Sequence, residues 1–205
     1  RRLSVLFFCL SILNIYYIYA QGNKIPTLPI SGADQLSEYM PMIKNKKVAI
    51  FANQTSMIGR THLVDTLLKS GIHIKKIFSP EHGFRGDADA GEHVSNGIDK
   101  STHLPVISLY GDKKKPSKNE LSDVDVMLFD IQDVGVRYYT FIASLQYYIE
   151  AGIENKKTII VLDRPNPNGF YVDGPVLELL FKSFVGMQPI PVVYGMTMGE
   201  YAKML

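Results

Sequence analysis

Short apolar strands that alternate with amphipathic helices predict an α/β fold, a Rossmann-like, doubly wound and largely parallel sheet. Three observations carry this expectation. The candidate strands are continuously apolar, as expected of strands covered on both faces. Helical segments separate them. Polar residues gather just past each strand, at the edge where open α/β sheets place their chemistry.

The first strand is Lys47 to Phe51, followed by the polar loop Asn53-Gln54-Thr55-Ser56 and a helix from Thr61 to Ser70 that Gly71 ends. Ile74 to Phe78 forms the second strand, which Pro80 and Gly83 forbid from continuing. After a polar loop from Asp87 to Thr102 come a strand from Leu104 to Leu109, ended by Tyr110-Gly111, and a strongly apolar strand from Val124 to Phe129. A helix from Tyr139 to Ala151, with Gly152 past its end, leads to a strand from Thr158 to Leu162. Tyr147 and Tyr148 belong to the packed face of that helix. Met198 to Leu205 begins another amphipathic helix and stops without a C-cap signal, and the chain starts without Met, so a fragment of a longer protein is expected.

Arg1 and Arg2 precede an uncharged apolar run from Leu3 to Tyr19, and Ala20 supplies a small residue before Gln21. This reads as a signal peptide over residues 1–20 and implies a secreted or periplasmic protein. An uncleaved membrane anchor is the alternative, because the run is near the lower limit for a span. Residues 21–45 read as a linker and lead-in, and 46–205 as the catalytic domain. Cys9 is the only cysteine, so the exported chain can be neither a disulfide scaffold nor a thiolate enzyme. Without Arg1 and Arg2 the 22 basic residues become 20 and balance the 20 acidic ones, which argues against nucleic acid as a partner. The cluster Lys113-Lys114-Lys115 reads as a solvated loop. No G-x-G-x-x-G and no G-x-x-x-x-G-K-[ST] occurs, so no nucleotide cofactor is expected.

Ser79-Pro80-Glu81-His82-Gly83-Phe84-Arg85-Gly86 places an acid, an imidazole and a guanidinium after an apolar strand. Parallel strands point their carboxyl ends one way. Glu81 and His82 should therefore meet Asn53, Gln54 and Thr55 from the first strand, Asp130, Gln132, Asp133, Arg137 and Tyr138 from the Val124 strand, and Asp163, Arg164, Asn166 and Asn168 from the last. Several have a second reading. Asp130 suits a substrate contact or a loop-ordering carboxylate, Asn166 and Asn168 suit a turn, and Arg137 suits an anion clamp beside a sugar-stacking Tyr138 and Tyr139 or a partner for Asp133. His82, Asp89 and His93 raise a metal-dependent alternative. Their spacing matches no strong ligand pattern, and no metal is expected.

The blocks FANQTSMIGRTHLVDTLL, IFSPEHGFRGDADAGE, LPVISLYG, VDVMLFDIQDVGVRYYTFIASL, VLDRPNPNG and PIPVVYGMTMGEYAKML, taken in order, resemble the NamZ-type exo-β-N-acetylmuramidases, long known only as a domain of unknown function. The resemblance runs from about Lys46 to the last residue. It implies a secreted, cell-wall-directed glycoside hydrolase that removes a terminal N-acetylmuramic acid from peptidoglycan fragments. It also implies a smaller C-terminal domain, missing here, and an active cleft between the two. It places the catalytic glutamate at Glu81. Asp130, Asp133 or the 2-acetamido group of the sugar would supply the second group. Arg137, Arg164 or Arg85 would pair with the lactyl carboxylate. A non-catalytic muropeptide-binding domain is the competing expectation from another class.

Overall fold

A computed structural model describes residues 29–86 and 96–205. The expected export segment, most of the linker and the loop carrying Asp87, Asp89, Glu92 and His93 lie outside the described residues. Among the described residues there are eight strands: β1 (Lys47–Ala52), β2 (Met57–Ile58), β3 (Thr61–His62), β4 (His73–Ser79), β5 (Gly97–Ile98), β6 (Pro105–Ser108), β7 (Val126–Asp130) and β8 (Thr158–Val161). Five α-helices accompany them: α1 (Leu36–Ile43), α2 (Leu63–Lys69), α3 (Lys118–Leu121), α4 (Phe141–Glu154) and α5 (Met198–Met204).

Six strands form one sheet in the order β5-β6-β4-β1-β7-β8, parallel except for the short edge strand β5. The chain builds outward from β1 through β4 to β6, then returns to place β7 on the other side of β1. Neighbouring connections therefore diverge between β1 and β7. That switch point leaves a crevice outside the strand ends.

Alternation along the central strands divides the core in two. Val48, Ile50 and Ala52 of β1 face α1 and α2, packing with Ile77, Leu128, Tyr39, Ile43 and Leu67. Ala49 and Phe51 face the other layer, with Phe78, Phe129, Leu145, Tyr148 and Tyr201. Phe51 stacks on Phe129 at 5.1 Å and meets the Tyr148 ring edge-on at 5.3 Å. Both faces are thus covered, which is why these strands read as unbroken apolar runs.

Helix α1 was not expected. It contains Pro41 and lies in the stretch read as lead-in, yet Tyr39 and Ile43 are buried against the sheet. Helix α4 runs past Gly152 to Glu154, because Gly152 is not a cap but a contact point: a Cβ there would stand 2.5 Å from Ile159 Cδ1 on β8. Helix α5 opens with the capping box Thr197/Glu200, as Thr-x-x-Glu before an apolar turn requires. The expected helix over Thr61 to Ser70 begins with a two-residue strand. Between Leu162 and Thr197 the chain is mostly irregular; the Val136–Val193 bridge ties it to the rest of the domain, and the Asp173–Val193 bridge folds it on itself. Among the described residues no helix is long and apolar enough to cross a membrane.

Candidate active site

Strand register sets the floor of the crevice. Ala52 pairs with Asp130 across β1 and β7, Phe51 with Phe78 across β1 and β4, and Ser79 with Ser108 across β4 and β6. The four strands consequently end at one level, and the residues that follow share one edge. A cleft of about 450 Å³ opens there, within the range of small-molecule sites. β1 contributes Gln54 and Thr55, β4 contributes Glu81 and His82, β7 contributes Gln132 and Val134, and the lead into α4 contributes Tyr138 to Phe141.

Glu81 is half-buried on a turn, and its Oε1 accepts a hydrogen bond from the Tyr110 hydroxyl at 2.8 Å. His82 beside it adopts φ 68° and Gly83 φ 78°. Two successive left-handed residues reverse the chain directly after the glutamate. Thr55 holds the next wall: its hydroxyl donates to Asn53 Oδ1 at 2.6 Å and accepts from the Gln132 backbone at 3.0 Å. Gln132 Nε2 in turn donates to the carbonyls of Asp133 and Pro165. Tyr138 and Tyr139 are more than half exposed on the rim, where flat rings suit a sugar face.

Of the expected site residues, the structure brings Gln54, Thr55, Glu81, His82, Gln132, Tyr138 and Tyr139 to the cleft. The others do not line it, and each has an interior partner. Asp130 is fully buried, and Arg164 grips it through Nε at 2.6 Å and Nη2 at 2.9 Å while also donating to Met57 O. Burial pushes the Asp130 carboxyl up, and the Arg164 contact opposes that. Asp133 accepts from Tyr194 and from the Gly135 backbone; burial raises its carboxyl as well. Arg137 is not its partner. Its guanidinium donates to the carbonyls of Pro175 and Ile190. Arg85 sits between Asp99 and Asp65, at 2.9 Å and 3.2 Å, with its Cζ 4.5 Å from the Phe84 ring centroid. Asn53 is fully buried and orders the turn containing Thr55. Asn166 donates to Met196 O and accepts from the Asn168 backbone, the turn role read beside the binding one.

Tyr110, Thr140 and Phe141 escaped the sequence reading as site residues. Tyr110 stood out only as the polar end of an apolar strand, and no local pattern says that β6 lies beside β4. Among the described residues no group of three histidine, cysteine or acidic side chains could hold a metal. Asp89 and His93, the residues of the metal-dependent alternative, lie outside those residues.

Comparison with known proteins agrees with the architecture. Residues 48–205 match the family model for the N-terminal part of the exo-β-N-acetylmuramidase NamZ. The chain is 44% identical over 194 residues to the peptidoglycan β-N-acetylmuramidase NamZ of Bacillus subtilis strain 168, covering 90% of this chain and 45% of that protein. Two crystal structures of DUF1343 family proteins from Bacteroides fragilis superpose on it. One gives a TM-score of 0.76 at 47% identity, over 85% of this chain and 46% of that one. The other gives 0.78 at 39% identity, over 85% and 45%. The chain thus spans about half the length of these relatives. With the model matched over most of its length, the chain belongs to the NamZ exo-β-N-acetylmuramidase family, as its N-terminal, Rossmann-like part.

Proposed function

We propose that this chain forms the catalytic half of a secreted glycoside hydrolase that removes a terminal β-1,4-linked N-acetylmuramic acid from the non-reducing end of peptidoglycan fragments, with Glu81 as the general acid. The supporting observation is the placement of Glu81 in the 450 Å³ cleft at the topological switch point. Family membership and the name of the Bacillus subtilis relative support the substrate class. Glycoside hydrolysis needs a proton delivered to the leaving oxygen and a second group at the anomeric carbon.

Asp130 and Asp133 are engaged inside the protein, so the second group in this reading is the 2-acetamido oxygen of the sugar itself. It attacks the anomeric carbon from the face opposite the leaving group. Water then opens the resulting ring, and the configuration is retained. Arg85, Arg137 and Arg164 point their donors at internal acceptors. Recognition of the lactyl carboxylate therefore falls to other donors, of which His82 and the Gln54 amide line the cleft.

The experiment uses the natural full-length polypeptide with peptidoglycan-derived saccharides ending in N-acetylmuramic acid. Release of that sugar alone from the non-reducing end, first as the β-anomer by NMR, is the expected result. Binding without any release would favour the muropeptide-binding alternative. Turnover lost to a chelator and restored by zinc would favour the metal-dependent one.

A further inference from the structure

Tyr110 lies two residues past the end of β6, the strand beside β4, and its place follows from register. Ser79 and Ser108 pair at the ends of these parallel strands, and the Leu109 N–H donates to Ser79 O at 2.9 Å. Each chain then runs two residues further, to Glu81 and to Tyr110. Gly111, at φ 84°, turns the chain away immediately afterwards. The Tyr110 hydroxyl therefore lands on Glu81, 2.8 Å from Oε1. A neutral phenol facing a carboxylate can only donate. The contact makes the Tyr110 phenol harder to ionise than an ordinary tyrosine, chiefly through the bond to Glu81 and then through burial.

From this contact, and resting on the reading of Glu81 as the acid, we propose that Tyr110 is a positioning residue for catalysis: its hydroxyl holds Oε1 as an acceptor and fixes the carboxyl plane, so that the acidic proton is carried on Oε2. As the glycosidic bond breaks, that proton passes to the leaving oxygen, which keeps the electron pair of the bond. Glu81 is left as a carboxylate. A hydrogen bond to an ionised acceptor is stronger than one to a neutral acid, so the Tyr110 contact tightens as the reaction proceeds. That is the kind of interaction that raises turnover without changing substrate affinity.

Leaving-group dependence separates this role from mere support of the fold. A 4-nitrophenyl group departs with little help from an acid, whereas the sugar of an unactivated disaccharide needs the proton. In the natural full-length polypeptide, Tyr110→Phe should lower kcat on the disaccharide by about ten- to a hundredfold, the scale of one hydrogen bond to a charged group. KM and the rate on 4-nitrophenyl β-N-acetylmuramide should stay close to wild type. Equal falls on both substrates, or a change confined to KM, would overturn the proposal. Glu81→Gln is measured alongside. If it keeps wild-type turnover, the assignment of the acid fails; if it collapses while Tyr110→Phe matches wild type on both substrates, the positioning role alone fails. The contact is also testable without turnover, in the 205-residue chain. The Tyr110 ring-carbon NMR signal, identified by its loss in Tyr110→Phe, should titrate at lower pH in Glu81→Gln. An unchanged titration would contradict the contact.

Discussion

Arg137 lies almost wholly out of solvent, at 6% exposure, and its guanidinium donates to the carbonyls of Pro175 and Ile190, two points on the irregular segment before α5. A charged donor bonded to the buried Ile190 carbonyl is costly to remove, because that carbonyl loses its partner. Arg137→Ala should lower unfolding free energy by about 2 to 3 kcal/mol, measured by urea titration, and should reduce turnover on muramide and glucosaminide substrates by the same factor. A selective loss on the muramide would return Arg137 to substrate recognition. The same inward turn explains why the candidate site was only partly legible. Glu81, His82 and Tyr138 follow strand ends and reach the cleft, as residue type and strand position suggest. Arg85, Arg164 and Arg137 carry the same local signal, but their partners Asp99, Asp130 and the Ile190 carbonyl lie 14, 34 and 53 positions away. No local pattern reports such partners.

Elements are tied together beneath the cleft by two titratable residues. His62 precedes α2; its Nδ1 accepts from the Val64 N–H at 3.2 Å, so Nε2 carries the proton that meets Asn53 O at 2.9 Å. Burial lowers its proton affinity below the ordinary 6.5. A histidine depressed in the folded state contributes stability above 6.5 and loses it as pH falls through its folded value. Asp99, after β5, is held by Arg85 down to about 2 from the usual 3.8. Its contribution, on the order of 1 to 2 kcal/mol, is present above 3.8 and lost as pH drops toward 2. Urea midpoints should therefore fall in two steps, one starting below pH 6.5 and one below pH 3.8. His62→Asn should flatten the first and Asp99→Asn the second; a midpoint independent of pH in both windows would contradict these assignments. At this scale the sequence was most legible. β1, β4, β7 and β8 fall within a few residues of their expected spans, because continuous apolar runs between turn residues have few other readings. Helix α1 was hidden by Pro41 and by its polar neighbours, and its packing against Ile50 and Leu128 is tertiary.

Across the whole molecule, the proposed function rests on the crevice between β1 and β7. A largely parallel sheet was readable from alternation of strands and helices. Its order was not, since register such as Val48 with Val126 joins residues far apart in sequence. That order decides which strand ends share an edge, and so sets Glu81 beside Tyr110 and opposite Gln54 and Gln132. The chain spans about half of its relatives, so the assay belongs on the natural full-length polypeptide. Glu81→Gln keeps the shape of the side chain and removes its acidic proton. The most direct measurement is turnover of an unactivated saccharide ending in N-acetylmuramic acid by wild type and Glu81→Gln, with binding followed in parallel. A fall of at least about a hundredfold in kcat with binding retained is the result predicted for the loss of a general acid. Near-normal turnover by Glu81→Gln would contradict the assignment and leave Glu81 a structural turn residue.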